Sequence, residues 1–467
     1  MFFAPGAEPV AMTRRVLVVA DDLTGAIDAG HEFAARGRRT TVRVGGGDEP
    51  TGDAAETSPD GTPVTVVDTD SRYDDADAAR ASVTAAVRGT VAADPDAVVY
   101  KKVDSTLRGN VAAEVTAARD ATGRPLALVA PAFPANGRLT AEGHHLIDGA
   151  PVTATAAGDD AKAPATSHLP RLLAESDEGR DRVSAPCDAV PRVAAATVAR
   201  GPDAVVERLT ALNASGARDE PSSAAATGSL VACDAVHDDH LAALAAGADP
   251  GSTVFAGSGG LARHVPLPEG GPQPPTVEPT PAVDRRALAV VGSVAPATLN
   301  QVSRVPDDRV VRLDAAAAVR DPEAAANHAA AACLDRLEAS GRALVTAATE
   351  RDDVAAASET GRAAGLRPDD VGDRVAAALS TTAGAVWRDD DPPTDSLLTG
   401  GAVARASLDA LGAAAVAPTG RKLDAGVPVG VVRGGVADGT PLVTKAGAFG
   451  GDGVIANYLD GVVGDDA

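Results

Sequence analysis

Short runs of Val, Leu and Ala alternate along this chain with Ala-rich stretches of helical length, and most runs end in a cluster of Gly, Asp, Ser or Arg. Apolar runs too short for helices, spaced by helix-length segments, predict βαβ units and a mostly parallel sheet. In the first half the strands read as Arg15–Ala20, Thr40–Val44, Val64–Asp68, Ala97–Lys101, Leu126–Ala130, Leu230–Asp234 and Thr253–Ala256. The helices read as Gly25–Arg36, Asp75–Ala92, Val111–Arg119 and Pro202–Leu212, while Val152–Ser176 has no clear period and reads as irregular.

The segment Leu267–Pro281, LPEGGPQPPTVEPTP, cannot sustain a helix or a central strand and reads as a linker. Beyond it the alternation restarts with a strand Ala287–Val291, a helix from Ala295, a strand Val310–Leu313, a helix Pro322–Ala339 and a strand Ala343–Ala347. A helix Val371–Trp387, a strand Ser396–Thr399, a helix Ala402–Leu411 and a last strand Pro441–Thr444 follow. The expectation is an α/β protein of two domains, each a mostly parallel sheet flanked by helices, with the active-site cleft between the lobes. Their bounds fall at residues 12–264 and 285–467, with a Pro/Gly-rich linker over 265–284.

Charge narrows the partners. The chain of 467 residues carries 65 Asp and Glu against 42 Lys and Arg, a net −23. Nucleic acid and anionic membrane surfaces both ask for basic patches, so neither is an expected partner. Asp outnumbers Glu 49 to 16 and Arg outnumbers Lys 37 to 5, a bias that points to a salt-rich setting where self-repulsion is screened. Cys187, Cys233 and Cys333 are widely spaced, which fits a reducing interior better than a disulfide scaffold or a zinc site. No apolar run approaches a membrane span, and Met1–Val10 lacks the form of a signal peptide, so a cytoplasmic protein is expected.

The polar clusters sit where ligands bind in open α/β sheets, at the carboxyl ends of strands. The first strand runs into Asp21-Asp22-Leu23-Thr24-Gly25, where carboxylates could hold hydroxyls or act as a general base, or merely cap the next helix. The third ends in Asp68-Thr69-Asp70-Ser71-Arg72, and the guanidinium of Arg72 could grip a carboxylate through two bonds. The fourth ends in Lys101-Lys102-Val103-Asp104-Ser105-Thr106-Leu107-Arg108-Gly109-Asn110. Two of only five lysines fall there beside Arg108, a local cationic cluster suited to a small anionic substrate.

Gly257-Ser258-Gly259-Gly260-Leu261-Ala262 satisfies the dinucleotide fingerprint, but the acidic residue required about 20 positions on would fall in the linker. The second half holds three glycine-rich junctions, Gly292-Ser293-Val294-Ala295, Gly400-Gly401-Ala402-Val403-Ala404 and Lys445-Ala446-Gly447-Ala448-Phe449-Gly450-Gly451. Glycines let backbone amides approach phosphates, so three such turns in one domain favour a nucleotide site, though one alone is often tight packing. There is no Walker A loop, no metal-ligand signature among the eight histidines and no nucleophile elbow.

Taken together, VVADDLTGAIDAG from Val18, DTDSR from Asp68, YKKVDSTLRGN from Tyr100 and APAFPANGR from Ala130 resemble the four-carbon acid sugar kinase family. AGSGGLA from Ala256, VVGSVAPATLNQV from Val290, LLTGGAVARA from Leu397 and LVTKAGAFG from Leu442 continue the resemblance in the same order, over nearly the whole chain. It implies ATP-dependent phosphorylation of an acid such as threonate, erythronate or 3-oxo-tetronate, with the acid on the N-terminal lobe, ATP on the C-terminal lobe and Mg²⁺ on the phosphates. By motif position Asp21, Asp22, Arg72, Lys101, Lys102, Asp104 and Arg108 fall in or beside the substrate site. Ser293, Gly400, Gly401, Ala402, Val403 and Gly447 fall in the nucleotide site, with Lys445 nearby. Two positions depart from the family pattern: its usual GGDTA is GGAVA here, and its Pro-Gly before the last glycine-rich turn is Ala425-Gly426.

The mechanism to be expected has Arg72 and Arg108 on the substrate carboxylate, Lys101 or Lys102 steadying transferring charge, and Asp22 or Asp104 as the base. The rival readings are an NAD(P)-dependent oxidoreductase built on GSGGLA and a sugar-acid sensor without catalysis. The acid, the hydroxyl and the oligomeric state, a homo-oligomer included, stay open at this level.

Overall fold

The computed structural model describes residues 15–45, 64–174, 190–216, 229–267 and 285–461, so most of the expected linker and Cys187 lie outside the described residues. In the N-terminal half the strands are β1 (Val16–Ala20), β2 (Thr40–Arg43), β3 (Val64–Asp68), β4 (Val98–Lys102), β5 (Leu126–Ala130), β6 (Arg138–Ala141), β7 (His144–Ile147), β8 (Ala150–Pro151), β9 (Arg192–Val193), β10 (Ser229–Cys233) and β11 (Thr253–Gly257). The C-terminal half adds β12 (Ala287–Val291), β13 (Val310–Arg312), β14 (Arg342–Thr346), β15 (Asp395–Thr399), β16 (Ala415–Asp424), β17 (Val427–Arg433) and β18 (Pro441–Lys445).

Strands β2-β3-β1-β4-β11-β5-β10-β9 form one parallel array, and β13-β14-β12-β15-β18 another. Each central strand is buried at every residue, as in β1, β4, β5 and β12, because helices cover both faces. The expected α/β architecture is therefore present, with one difference. The two arrays are not separate: the antiparallel hairpin β16–β17 joins β18 to β2, so 15 strands make a single sheet. The seam is short, pairing Ala415 with Arg43 and Val416 with Val42. An edge strand such as β2 presents unpaired amides and carbonyls, and the hairpin supplies its missing neighbour.

The helix Leu23–Ala34 lies across this seam, burying Leu23, Ile27 and Phe33. Gly30 makes the crossing possible, since a Cβ there would lie 3.0 Å from Val42 Cγ2 and 3.2 Å from Pro418 Cγ. Phe33 meets Tyr100 edge-to-face with ring centroids 6.3 Å apart, placing two of the few aromatic side chains under the middle of the sheet. One hydrophobic cluster runs from Val16 through to Leu442, so the two halves share a core as well as a sheet.

A buried ion pair also ties the halves. Arg405 Nη1 lies 2.5 Å from Asp68 Oδ2, whose side chain is wholly buried, and Arg405 Nε reaches Asp409 at 3.3 Å. Burial pushes the Asp68 carboxyl up to about 7 even against the pull of Arg405. Without Arg405 the Asp68 carboxyl would be buried protonated at neutral pH, so the loss is that of a charge-assisted hydrogen bond, about 2 kcal/mol. Arg405→Ala should lower unfolding stability by about that much in a denaturant titration at neutral pH, and adding Asp68→Asn should restore part of it. Equal stability of Arg405→Ala and the parent chain would show that the pair does not hold the halves together.

Candidate active site

The carboxyl ends of β1, β3 and β4 lie side by side and carry three of the sequence motifs. Asp21 and Asp22 leave β1 directly, and Arg72 reaches both. Its Nε and Nη2 donate to Asp21 Oδ2 and Oδ1 at 2.7 and 3.1 Å, and its Nη1 and Nη2 donate to Asp22 Oδ2 and Oδ1 at 2.9 and 2.6 Å. Asp22 also caps the Leu23–Ala34 helix, accepting from the Gly25 amide at 3.0 Å, and accepts from Thr24 Oγ1 at 2.6 Å. Capping and chemistry, alternatives at the sequence level, thus fall on one carboxylate. Burial would raise the Asp21 carboxyl, but Arg72, with Lys101 and Lys102, holds it below its ordinary value. Arg72 is therefore a clamp on two carboxylates rather than a waiting anion receptor.

At the end of β4 the two lysines part. Lys101 turns inward to a buried ion pair with Glu114, Nζ to Oε2 3.0 Å, and Ser71 Oγ donates to the other Glu114 oxygen at 2.6 Å. Lys102 Nζ donates to Val103 O at 3.1 Å and meets no carboxylate within ion-pair distance among the described residues. It lies beside the first turn of the Leu23–Ala34 helix, where a Cβ on Gly25 would be 3.1 Å away. Asp104 is held by Arg108, with Nε at 2.6 Å, and by the Thr106 hydroxyl. Although burial works the other way, Arg108 and Arg72 keep its carboxyl well below the usual range. Arg108 stays partly exposed and touches Asp160 at 3.3 Å.

The three glycine-rich junctions of the C-terminal half converge after β12, β15 and β18. Gly400, at φ +91°, leaves so little room that a Cβ would lie 2.9 Å from Ser293 N and 3.0 Å from Gly292 C. A Cβ on Gly447 would meet Ser293 Oγ, and one on Gly292 would strike Val403. Val403 is thus buried packing under the first junction, while Ala402 is exposed on the first turn of the Gly401–Ala410 helix. Ser293, Gly400, Gly401 and Gly447 form one surface. Lys445 is wholly buried below it, and burial lowers its ammonium to about 8.

The two clusters meet. A Cβ on Gly401 would lie 3.5 Å from Asp22 Oδ2 and 3.8 Å from Thr24 Oγ1. On the other side, the Arg138 guanidinium stands 5.3 Å over the Phe449 ring, joining the β6 hairpin to the turn after β18.

Several contributors had no signal in a single sequence. Glu114 and Arg405 are ordinary helix residues until the fold sets them against Lys101 and Asp68. His145 links Thr140 Oγ1 (3.0 Å) to Ser105 O (2.8 Å), so it steadies the loop that carries Asp104. Burial lowers its imidazole to about 4, which keeps it neutral. GSGGLA proves to be packing: Ser258 caps a four-residue helix, and Cβ atoms on Gly257 and Gly260 would lie 2.5 and 2.8 Å from Ala130 O and Ala132 O.

Asp28, one turn beyond Thr24, makes no hydrogen bond or ion pair to another described residue. Burial raises its carboxyl to about 6 from 3.8, although Lys102 pulls it back. A carboxyl raised in the fold favours the folded state below its ordinary pKa, and that advantage is lost as pH rises through the folded value. Asp28→Asn should therefore melt with the parent chain near pH 4 and progressively above it as pH rises to about 7. Identical melting-temperature curves for the two proteins across that range would contradict the shift.

The strand-end clusters thus lie in two parts of the chain, and each part resembles a known family. Residues 16–265 match a family described as a sugar-binding N-terminal domain, and residues 288–455 one described as a nucleotide-binding C-terminal domain. The D-threonate kinase of Salmonella typhimurium is 30% identical, covering 95% of this chain and 97% of its own. The D-threonate kinase of Bordetella bronchiseptica is 34% identical over 93% and 94%, and the D-erythronate kinase of Heliobacterium modesticaldum 29% identical over 95% and 96%. A solved Haemophilus influenzae protein of the family designated DUF1537 shares the fold at a TM-score of 0.66 and 19% identity, over 96% of this chain and 100% of its own. The chain belongs to the four-carbon acid sugar kinase family, phosphotransferases that act on an alcohol group.

Proposed function

We propose that the chain transfers the γ-phosphoryl group of ATP to a hydroxyl of a four-carbon sugar acid of the threonate, erythronate or 3-oxo-tetronate type. The observation that carries this reading is the approach of the Gly400–Gly401 turn to Asp22 and Thr24, which sets a glycine-rich phosphate seat against a carboxylate cluster. Phosphoryl transfer asks a protein mainly for positioning and charge stabilisation. In this reading Asp22 takes the hydroxyl proton, because it is the carboxylate that the Gly401 turn approaches. Lys102, without a carboxylate partner, steadies transferring charge. Arg108, the more exposed guanidinium, meets the substrate carboxylate while Arg72 holds Asp21 and Asp22 in place.

A resident metal does not fit the residues present. Among the described residues no group of three or more His, Cys, Asp or Glu could hold one, and Ala402 and Val403 give their loop no side-chain oxygen. Both oxygens of Asp22 are engaged by Arg72. Mg²⁺ in this reading is carried by the nucleotide's phosphates and water. The acidic composition and the buried, free Cys233 and Cys333 support work in a salt-rich, reducing interior. No helix among the described residues is long and apolar enough to cross a membrane.

The test is an ADP-release assay in molar KCl with D-threonate, D-erythronate, 3-oxo-tetronates and glycerate as acceptors. ATP-dependent turnover on a four-carbon acid is the expected result. No turnover on any of them, or a melting temperature raised by a nicotinamide cofactor and not by ATP, would overturn the proposal.

A further inference from the structure

The turn after β18 is built with its carbonyls inward. Lys445 closes that strand with its ammonium inside the protein, where no carboxylate lies within ion-pair distance among the described residues. Its Nζ donates instead to Thr298 Oγ1 at 3.0 Å and is surrounded by the carbonyls of Ala446, Gly447 and Phe449 at 3.2, 3.1 and 3.2 Å. Gln301, on the helix Pro296–Val302, gathers the next carbonyls through Nε2: Phe449 at 3.2 Å, Gly450 at 2.9 Å and Gly451 at 3.1 Å. Thr298 Oγ1 adds a contact to Gly447 O at 2.8 Å.

Across a trans peptide the carbonyl of one residue and the amide of the next point in opposite directions. Drawing in the carbonyls of residues 446, 447 and 449 therefore turns the amides of Gly447, Ala448 and Gly450 away from Lys445 and Gln301. None of these three amides has an acceptor among the described residues, whereas the next one, Gly451 N, donates to Asp424 Oδ2 at 2.7 Å. Free successive amides form a concavity that binds anions. It adjoins Ser293, since a Cβ on Gly447 would meet Ser293 Oγ, and Ser293 N in turn abuts Gly400.

We propose that Lys445 and Gln301 are positioning residues for the nucleotide's phosphates, which they serve without touching: they hold the 446–451 carbonyls inward so that the amides of Gly447, Ala448 and Gly450 face the polyphosphate. This rests on the kinase reading for the identity of the anion. It also separates Lys445 from the lysines that contact phosphate directly, because its three protons are directed to the hydroxyl of Thr298 and the loop carbonyls. Gln301 carries half of the device without any charge, and its Oε1 has no partner that a substitution would orphan.

The test uses the full chain in molar KCl with ADP, adenosine and D-threonate titrated separately by calorimetry, alongside steady-state kinetics. Gln301→Leu and Lys445→Met should each weaken ADP at least tenfold and raise the KM for ATP to match. Adenosine and D-threonate affinity should stay within twofold of the parent. ADP affinity within twofold in Gln301→Leu overturns the proposal, and so does an equal loss for ADP and adenosine, which would mean general damage to the lobe. Should Lys445→Met fail to fold, Gln301→Leu decides the matter alone. A parent chain that binds ADP yet transfers no phosphoryl group would sink the kinase reading while the ADP-against-adenosine comparison still decides this one.

Discussion

Asp22→Asn should cost about a thousandfold in turnover while the protein stays folded. Asn keeps an oxygen for the Gly25 amide, so the start of the Leu23–Ala34 helix survives. Asp21 still pairs with Arg72 through Nε at 2.7 Å, so the guanidinium is not abandoned in the interior. What disappears is the carboxylate that the Gly401 turn approaches, the acceptor proposed for the hydroxyl proton. Asp104→Asn is the contrasting variant. It releases Arg108 and should act mainly on the KM for the acid, because its carboxylate is already engaged by Arg108 and Thr106. The measurement is kcat and KM for the acid by ADP release, with melting temperature as the control. Turnover above a tenth of the parent value in Asp22→Asn would remove Asp22 from the role of base.

Gly400→Ala is the second large effect, and it falls on the nucleotide. At φ +91° an alanine is strained wherever it points, and here its Cβ would press on two backbone atoms, Ser293 N and Gly292 C, that cannot rotate aside. The turn must shift away from Ser293, so the KM for ATP should rise more than tenfold with the KM for the acid nearly unchanged. Gly447→Ala meets the end of a rotatable side chain, Ser293 Oγ, and should be several-fold milder. A KM for ATP within threefold of the parent in Gly400→Ala would mean that this turn does not seat the nucleotide.

The parallel strands were legible because their signal is local: a buried strand is a short apolar run, and β1, β4, β5, β12 and β15 lie within a residue or two of their expected ends. The hairpin β16–β17 was not. Pro418, Gly420 and the charged pair Arg421–Lys422 interrupt its period, and only pairing with β2 and β18 makes it a strand. The helix Asp238–Ala246 was missed because its Ala-rich segment carries little contrast between faces, and Arg351–Ala363 because it is mostly polar and buries only Ala357 and Gly361. The site followed the same division. Candidate residues could be named from motifs at strand ends, and the structure brings Asp21, Asp22, Arg72, Lys102 and Asp104 to one edge and Ser293, Gly400, Gly401 and Gly447 to the other. Their pairing could not be read. That Arg72 is neutralised by two carboxylates, that Lys101 turns away to Glu114 and that Lys445 faces carbonyls all depend on residues distant in sequence.

The seam between β2 and β16 bears on how the chain is made. Translation delivers β2 long before β16, so the N-terminal array must wait through synthesis of the intervening chain with one flank bare. Contacts so remote in sequence form late and slowly, after each half has collapsed on its own. The closing step of folding is then the docking of a finished hairpin onto a waiting strand, and a nascent chain paused before residue 415 offers that strand to its neighbours on the polysome.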